Sequence, residues 1–140
     1  MGKSDFYTLK GYSIKNNNII TIAMEDYLEM IYRNTINNDF ITVKDLAYKL
    51  NVKPSSVSKM CNKLDFLKLV DFEKYGHVKL TELGKIKGEY FLWRHNVVEK
   101  LIKIINKKDF ELEQVEKIEH FIDNKTLKNI EKFITLNKLI

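Results

Sequence analysis

Residues 42–68, TVKDLAYKLNVKPSSVSKMCNKLDFLK, decide the fold of this chain of 140 residues. Apolar side chains recur at helical spacing over residues 43–50 and again over residues 54–68, so each run predicts a helix with one buried face. Thr42 is placed to cap the first helix, and Pro54 suits the first position of the second. Because only a short turn separates the two runs, they predict a helix-turn-helix.

The segments on either side of this pair extend it to a winged helix-turn-helix. Residues 23–34 carry apolar side chains at helical spacing and predict a helix before the pair. Residues 69–74 and 77–81 predict two strands after it, which form a candidate wing. Between the strands stand Tyr75 and Gly76, and Gly76 supplies the positive φ that a tight hairpin needs.

The C-terminal half is predicted to be helical. Thr81 is placed to cap a long helix that ends near residue 106. A second helix is expected to begin near residue 109 and to carry Val115, Ile118 and Ile122, and a third is expected over residues 125–135. The predicted fold class is therefore mainly α with a small β-hairpin, a winged helix-turn-helix followed by a helical segment.

Composition excludes several classes of protein. No apolar run approaches the roughly 20 residues of a membrane span, and the N-terminus lacks the order of a signal peptide, so a cytoplasmic protein is expected. The single cysteine, Cys61, cannot form an internal disulfide or a thiolate metal cluster. We expect it to be a buried, unreactive thiol.

Charge is distributed unevenly along the chain, whose net charge is +5. Residues 23–40 contain one Arg and four acidic residues, a net charge of −3, whereas residues 41–80 contain eight Lys and four acidic residues, a net charge of +4. An acidic helix therefore precedes a basic helix-turn-helix. Basic charge gathered at such a motif favours contact with nucleic acid.

Small polar and basic side chains collect at the start of the second helix of the pair and on the hairpin. A helix N-terminus offers unpaired amides and a favourable dipole to phosphate oxygens, and in helix-turn-helix proteins this part of the helix enters the major groove. An ordinary solvated N-terminus is the alternative, and the basic surroundings favour DNA. The expected DNA contacts are Thr42, Lys53, Pro54, Ser55, Ser56, Ser58, Lys59, Lys63, Lys74 and Lys79.

Acidic residues and histidines recur at helical spacing in three separate segments. The sets are Asp26 with Glu29, His95 with Glu99, and Glu116 with Glu119 and His120. Each set alone is better explained without a metal, as a surface ion pair, a histidine at the edge of the core or a solvated helix face. If the three faces converge, they form a site rich in oxygen, with imidazole and without sulfur, which suits Mn²⁺ or Fe²⁺ and in which carboxylates bridge two ions.

Five strings resemble, in this order and spacing, the diphtheria-toxin-repressor family and, within it, the manganese transport regulators. The strings are MEDYLEMIY, VKPSSVSKM, FEKYGHVKLTELGK, RHNVVEKLI and VEKIEH, and the resemblance extends over about residues 24–136. The resemblance implies metal ligands at Asp26, Glu29, His95, Glu116, Glu119 and His120. The iron-sensing relatives usually have Met at the position of Asp26 and Cys at that of Glu116, so it favours Mn²⁺, with two ions per subunit feasible and Fe²⁺ as the alternative.

The same resemblance implies a repressor of metal-uptake genes. Its partners would be a palindromic double-stranded DNA operator and a second copy of the chain in a homodimer, with no membrane and no small-molecule substrate. The expected domains are an N-terminal extension over residues 1–22, the DNA-binding domain over residues 23–81, and a metal-binding and dimerisation domain over residues 82–140. The chain ends without the SH3-like third domain of the iron-sensing branch, which fits the manganese branch.

Two other functions remain open. One is a winged-helix regulator that senses no metal, with the carboxylates exposed on its surface. The other is a metal-dependent hydrolase, which is disfavoured because EKIEH lacks the first His of the H-x-x-E-H pattern and because no Ser-His-acid set or phosphate-binding Gly loop is present. We therefore expect a protein that is not an enzyme.

Overall fold

The computed structural model describes residues 8, 9, 12, 19–109 and 111–139, and these are mainly helical. The predicted fold class is confirmed, whereas the expected extension over residues 1–22 lies mostly outside the described residues. In chain order the elements are α1 (Ile22–Thr35), β1 (Ile41–Thr42), α2 (Val43–Leu50), α3 (Pro54–Phe66), β2 (Val70–Phe72), β3 (His77–Leu80), α4 (Glu82–Asn106), α5 (Leu112–Ile118) and α6 (Asn124–Leu136). Short 3₁₀ turns occupy Lys74–Gly76 and Glu119–Phe121.

Helices α2 and α3 form the predicted helix-turn-helix. Thr42 caps α2, since its hydroxyl accepts a hydrogen bond from the Asp45 amide at 3.1 Å. Asn51 ends α2 in the left-handed conformation, with φ 55°, and Pro54 begins α3. Val57, Cys61 and Leu64 form the buried stripe of α3. Burial raises the pKa of the Cys61 thiol to about 11, which agrees with an unreactive core cysteine.

The hairpin belongs to a sheet of three antiparallel strands in the order β1-β3-β2. Its turn needs two residues with positive φ, Tyr75 at 63° and Gly76 at 73°. The strands are shorter than predicted, because Lys74 already belongs to the turn. Strand β1, which pairs Ile41 with Val78, was not predicted, because two residues are too few to show an alternating pattern.

The long helix α4 lies close against α1 and the hairpin at two glycines. A Cβ at Gly88 would lie 2.7 Å from Cβ of Tyr32 on α1, and a Cβ at Gly84 would collide with the carbonyl of Leu69. Thr81 caps α4 as predicted, since its hydroxyl accepts from the Gly84 amide at 3.1 Å. This close approach holds α4 against α1, so side chains further along the two helices face each other.

Two apolar clusters fill the interior. The first lies within the winged helix-turn-helix and α1, and it includes Leu28, Leu46 and Val78. The second lies between α4, α5 and α6 and comprises Val97, Val98, Ile102, Val115 and Leu127. Tyr90 packs against both clusters. Within the described ranges, no helix combines the length and apolar character needed to cross a membrane.

The helix predicted after residue 109 is interrupted. It was expected to continue through Ile122, but α5 ends at Ile118, and the chain then tightens into the 3₁₀ turn Glu119–Phe121. Ile122 is extended, with φ −99° and ψ 123°. A 3₁₀ turn rotates successive side chains by a larger angle than an α-helix does, so the helical face assumed for Glu116, Glu119 and His120 is only approximate.

Candidate metal centre and DNA interface

The three acidic segments converge between α1, α4 and α5. All six predicted ligands meet there: α1 supplies Asp26 and Glu29, α4 supplies His95, α5 supplies Glu116, and the 3₁₀ turn supplies Glu119 and His120. They form two groups of four, Asp26-Glu116-Glu119-His120 and Glu29-His95-Glu116-Glu119. Within each group the ligand atoms lie within 4.8 Å of one another. The two groups share Glu116 and Glu119.

His95 is the centre of the second group. Its Nδ1 lies 2.8 Å from Glu119 Oε2, 3.4 Å from Glu116 Oε1 and 3.9 Å from Glu29 Oε2. The hydrogen bonds with Glu116 and Glu119 raise the pKa of His95 to about 10. The same contact holds the pKa of Glu116 below its usual value. In the metal-free chain the imidazolium therefore balances part of the carboxylate charge.

His120 joins the first group to α1. Its Nε2 lies 3.0 Å from Asp26 Oδ1, and its Nδ1 lies 2.7 Å from Glu25 Oε1. Burial lowers the pKa of this ring, but the hydrogen bonds with Asp26 and Glu25 outweigh burial and bring the pKa to about 9. Both histidines of the centre are thus held as cations when no metal is bound.

The pKa of Glu29 shows the effect of burying carboxylates close together when no metal ion is bound. Burial, followed by repulsion from Glu119, raises its pKa. Arg33 offsets part of that effect, since its Nε and Nη2 donate to Glu29 Oε2 at 3.0 and 2.8 Å. An open cleft lined by Arg33, Lys49 and Glu116, among others, gives solvent access to this side of the centre.

The donor set fits a divalent cation. Glu119 is fully buried, and its Oε1 has no hydrogen-bond partner among the described residues. A buried carboxylate oxygen without a donor is costly, and a bound cation removes that cost. Four carboxylates and two imidazoles without sulfur suit a hard ion such as Mn²⁺ or an intermediate one such as Fe²⁺.

Two charged residues around the centre, Glu25 and Arg94, were not predicted to belong to it, and a third, Glu99, was indicated by helical spacing alone. Glu25 and Arg94 contact His120, and Glu99 contacts the other ring nitrogen of His95 at 3.4 Å. The i, i+4 spacing from His95 pointed to Glu99, but the family pattern left it out. Arg94 lies on a buried face of α4, where no local pattern predicts an arginine.

The predicted DNA contacts lie on α3, on the hairpin and near them. Ser55, Ser56, Lys59 and Lys63 are exposed on α3, and Ser58 is half-buried. Lys53 is exposed at the position before α3, and its side chain, which can only donate, does not cap the helix. The remaining predicted contacts differ in their surroundings. Thr42 caps α2, Lys74 is exposed in the turn of the hairpin, and Lys79 pairs with Glu73 at 3.2 Å.

Comparisons with known proteins agree with this architecture. Residues 20–78 match the family model described as "Iron dependent repressor, N-terminal DNA binding domain". Over 103 residues the chain is 41% identical to the HTH-type transcriptional regulator MntR of Oceanobacillus iheyensis, and the match covers 73% of this chain and 70% of that protein. The chain belongs to the diphtheria-toxin-repressor family. The resemblance predicted from its motifs is thereby confirmed.

Solved structures place the chain in the same family. The IdeR protein of T. acidophilum matches with a TM-score of 0.69 and 28% identity, covering 78% of this chain and 53% of that one. The manganese regulator SloR matches with a TM-score of 0.70 and 27% identity, covering 79% and 53%. The chain thus spans about half the length of these structures. The family is one of metal-dependent transcriptional regulators, in agreement with the centre and the helix-turn-helix.

Proposed function

We propose that this chain is a manganese-responsive transcriptional repressor that binds an operator as a homodimer when its centre holds Mn²⁺. One observation carries the proposal: ligands from three separate segments meet in two groups that share Glu116 and Glu119, without sulfur. Shared carboxylates are the usual bridges between neighbouring ions, so the arrangement supports two ions per subunit.

The location of the centre supports a switch. Asp26 and Glu29 belong to α1, which packs in the apolar cluster of the winged helix-turn-helix. The other four ligands belong to α4, α5 and the turn after α5. A bound cation supplies the positive charge that holds these carboxylates together. The ligands then fix α1 to helices that follow the domain boundary proposed near residue 81.

A fixed arrangement matters because the operator is proposed to be palindromic. Two recognition helices must reach half-sites about 34 Å apart, so only some shapes of the dimer admit both. A coupling of roughly 1–3 kcal/mol, typical of allostery, changes DNA affinity about 5- to 150-fold. Large apolar side chains exposed on the C-terminal half are candidates for the dimer interface, namely Leu83, Ile86, Ile105, Phe121, Phe133 and Leu136.

Helix α3 is the proposed recognition helix. Its exposed serines are small donors and acceptors for base edges, and Lys59 and Lys63 reach phosphate or guanine. Lys74 and Lys79 on the hairpin supply further phosphate contacts. We therefore propose that the protein acts in the cytoplasm by binding DNA, that it regulates metal uptake, and that it performs no catalysis.

An iron-responsive regulator is the second candidate. The description of the matching family model, an iron-dependent repressor, favours it. The lack of any sulfur ligand favours Mn²⁺, because soft ligands are used where a protein must bind softer ions. The two candidates differ in which ion produces the DNA-binding form at an equal concentration of free metal.

The test is selection of duplex DNA from a random pool in the presence of Mn²⁺, Fe²⁺ under anaerobic conditions, or chelator. We expect Mn²⁺ to yield a palindromic consensus with half-sites one helical turn apart, and chelator to yield none. The variant Glu116→Ala should behave as the chelated protein does, whereas Glu113→Ala, an exposed change on α5, should behave as the wild type. An equal consensus with chelator would contradict a metal switch, and a consensus with Fe²⁺ alone would favour the second candidate.

A further inference from the structure

Each histidine of the centre contacts acidic residues through both of its ring nitrogens. One ring nitrogen faces the ligand groups, and the other faces a glutamate that belongs to neither group. For His120 the outer partner is Glu25, 2.7 Å from Nδ1, and for His95 it is Glu99, 3.4 Å from Nε2. An imidazole that binds an ion through one nitrogen usually donates the proton of the other to a carboxylate or carbonyl.

The contact of Glu25 with His120 defines where the ring proton lies. A carboxylate only accepts hydrogen bonds, so in the metal-free cationic ring Nδ1 donates to Glu25 at 2.7 Å and Nε2 donates to Asp26 at 3.0 Å. Nη2 of Arg94 also lies 3.0 Å from Nδ1, and both of these donors meet at the same Glu25 oxygen. Nε2 lies 3.0 Å from Asp26 and 3.9 Å from Glu119 Oε1, so an ion of this group would replace the proton on Nε2, while Nδ1 keeps the proton that Glu25 accepts. Glu119 Oε1 is the buried oxygen without a partner among the described residues.

Glu25 is itself held in place by a buried arginine. Nη2 of Arg94 donates to Glu25 Oε1 at 3.0 Å, and the Arg94 side chain is only 4% exposed. Its guanidinium also lies over the ring of Phe91, 4.8 Å from the centroid. Glu99 lacks such support: its side chain is 28% exposed, against 19% for Glu25, and apart from His95 it pairs with the partly exposed Lys103 at 3.6 Å.

We propose that Glu25, fixed by Arg94, is a positioning residue that orients His120 for the ion of the Asp26-Glu116-Glu119-His120 group. The inference rests on the proposed function, since it presupposes a metal centre. Glu99 performs the same task for His95 less strongly, because its contact is longer and its side chain is more exposed than that of Glu25. Loss of Glu25 therefore lowers the affinity for one of the two ions and leaves the other nearly unchanged. The expected loss is roughly 10- to 100-fold, which is typical when a residue that orients a metal ligand is removed.

The test is a titration of the metal-free chain with Mn²⁺, followed by the electron paramagnetic resonance signal of the free ion. Glu25→Ala should lower the affinity of one ion about 10- to 100-fold and leave the other within a few fold. Glu25→Gln should fall between Glu25→Ala and the wild type, because its amide oxygen still accepts from Nδ1. Glu99→Ala should have the smaller effect, and Glu113→Ala, an exposed carboxylate on α5 paired with Lys117, should have none.

A second readout separates positioning from a structural role. In the Zn²⁺-loaded wild type, imidazole nitrogen NMR should show His120 protonated at Nδ1, and Glu25→Ala should lose or shift that signal. Unchanged affinity for both ions in Glu25→Ala would overturn the proposal. An equal loss of affinity for both ions, in proportion to a lower melting temperature, would also overturn it, because that result indicates a general loss of stability. A wild type that binds no Mn²⁺ would instead contradict the proposed function, and the inference with it.

Discussion

Oε2 of Glu119 lies 2.8 Å from Nδ1 of His95, although 24 positions separate the two residues and both are buried. His95 belongs to α4, and Glu119 belongs to the 3₁₀ turn after α5. The contact joins the long helix to the C-terminal part of the centre. Since Glu119 is a member of both candidate ligand groups, we expect every ion bound at the centre to depend on it.

Glu119→Gln should abolish high-affinity binding of both ions. The amide keeps the volume of the side chain but removes the charge that the two groups share, and an amide oxygen is a weaker ligand than a carboxylate. We expect a loss of affinity larger than the roughly 10- to 100-fold that loss of an outer partner causes. Calorimetric titration with Mn²⁺ measures it. Retention of one ion at wild-type affinity would contradict the shared role of Glu119.

Mn²⁺ affinity should increase with pH. The pKa of His95, about 10, and that of His120, about 9, mean that both rings are protonated near neutral pH when no metal is bound. A ring must lose a proton before its nitrogen binds an ion, so each ring adds up to about one unit to the slope of log affinity against pH below its pKa. Titrations between about pH 6.5 and pH 8.5 check this, and a flat profile would contradict it. His77→Gln, outside the centre, should leave the slope unchanged.

Stability of the metal-free chain should change with pH in the opposite direction. The folded-state pKa values of both histidines exceed the ordinary value of 6.5, so protonation stabilises the folded state fully below that value. The contribution is lost as pH rises through about 9 and 10. The free energy of unfolding in urea, with chelator present, should therefore fall from pH 6.5 upward. An unfolding free energy that rises over this interval would contradict the assignment, and His120→Gln should show a shallower fall.

The helix-turn-helix was predictable from sequence because its determinants are local. Helical spacing of the apolar residues, the cap at Thr42 and Pro54 at the start of α3 each specify structure within a few positions. Strand β1 and the 3₁₀ turn at Glu119 were missed, because both depend on distant partners. The strand exists through its pairing with β3, and the turn through the contacts of Glu119 in the centre.

The centre was predictable only in part. Spacing gave three candidate faces, and the family resemblance combined them into six ligands, which the structure brings together. Glu25 and Arg94 escaped prediction because their roles depend on a contact between α1 and α4, 69 positions apart. In sequence, Glu25 is one more acidic residue in the first turn of a helix, where such residues are common.

Gly88→Ala should weaken both the fold and the centre. Its Cβ would lie 2.7 Å from Cβ of Tyr32, so α4 must move away from α1, which separates His95 from Glu29. Overpacking of this kind costs about 1–3 kcal/mol. We expect a lower free energy of unfolding and weaker Mn²⁺ binding, measured by urea titration and calorimetry. The exposed neighbour change Glu89→Ala is the control, and wild-type values for Gly88→Ala would contradict the close packing.

Lys59→Ala should weaken DNA binding without affecting Mn²⁺ binding. Removal of one phosphate contact lowers the slope of log affinity against log salt concentration by about 1. Lys128→Ala, an exposed change on α6 far along the chain from α3, serves as the matched control. Fluorescence anisotropy with a selected duplex at several salt concentrations provides the slopes. Equal slopes for Lys59→Ala and the wild type would show that α3 does not contact the phosphates there.

The most direct test of the metal switch is the ratio of DNA affinities with Mn²⁺ and with chelator, measured on one selected duplex. The wild type should bind about 5- to 150-fold more tightly with Mn²⁺, as expected for an allosteric coupling of typical size. Glu119→Gln should show a ratio near one while keeping the weak affinity of the metal-free wild type. A wild-type ratio of one, with Mn²⁺ shown to be bound, would contradict the proposal that this centre controls DNA binding.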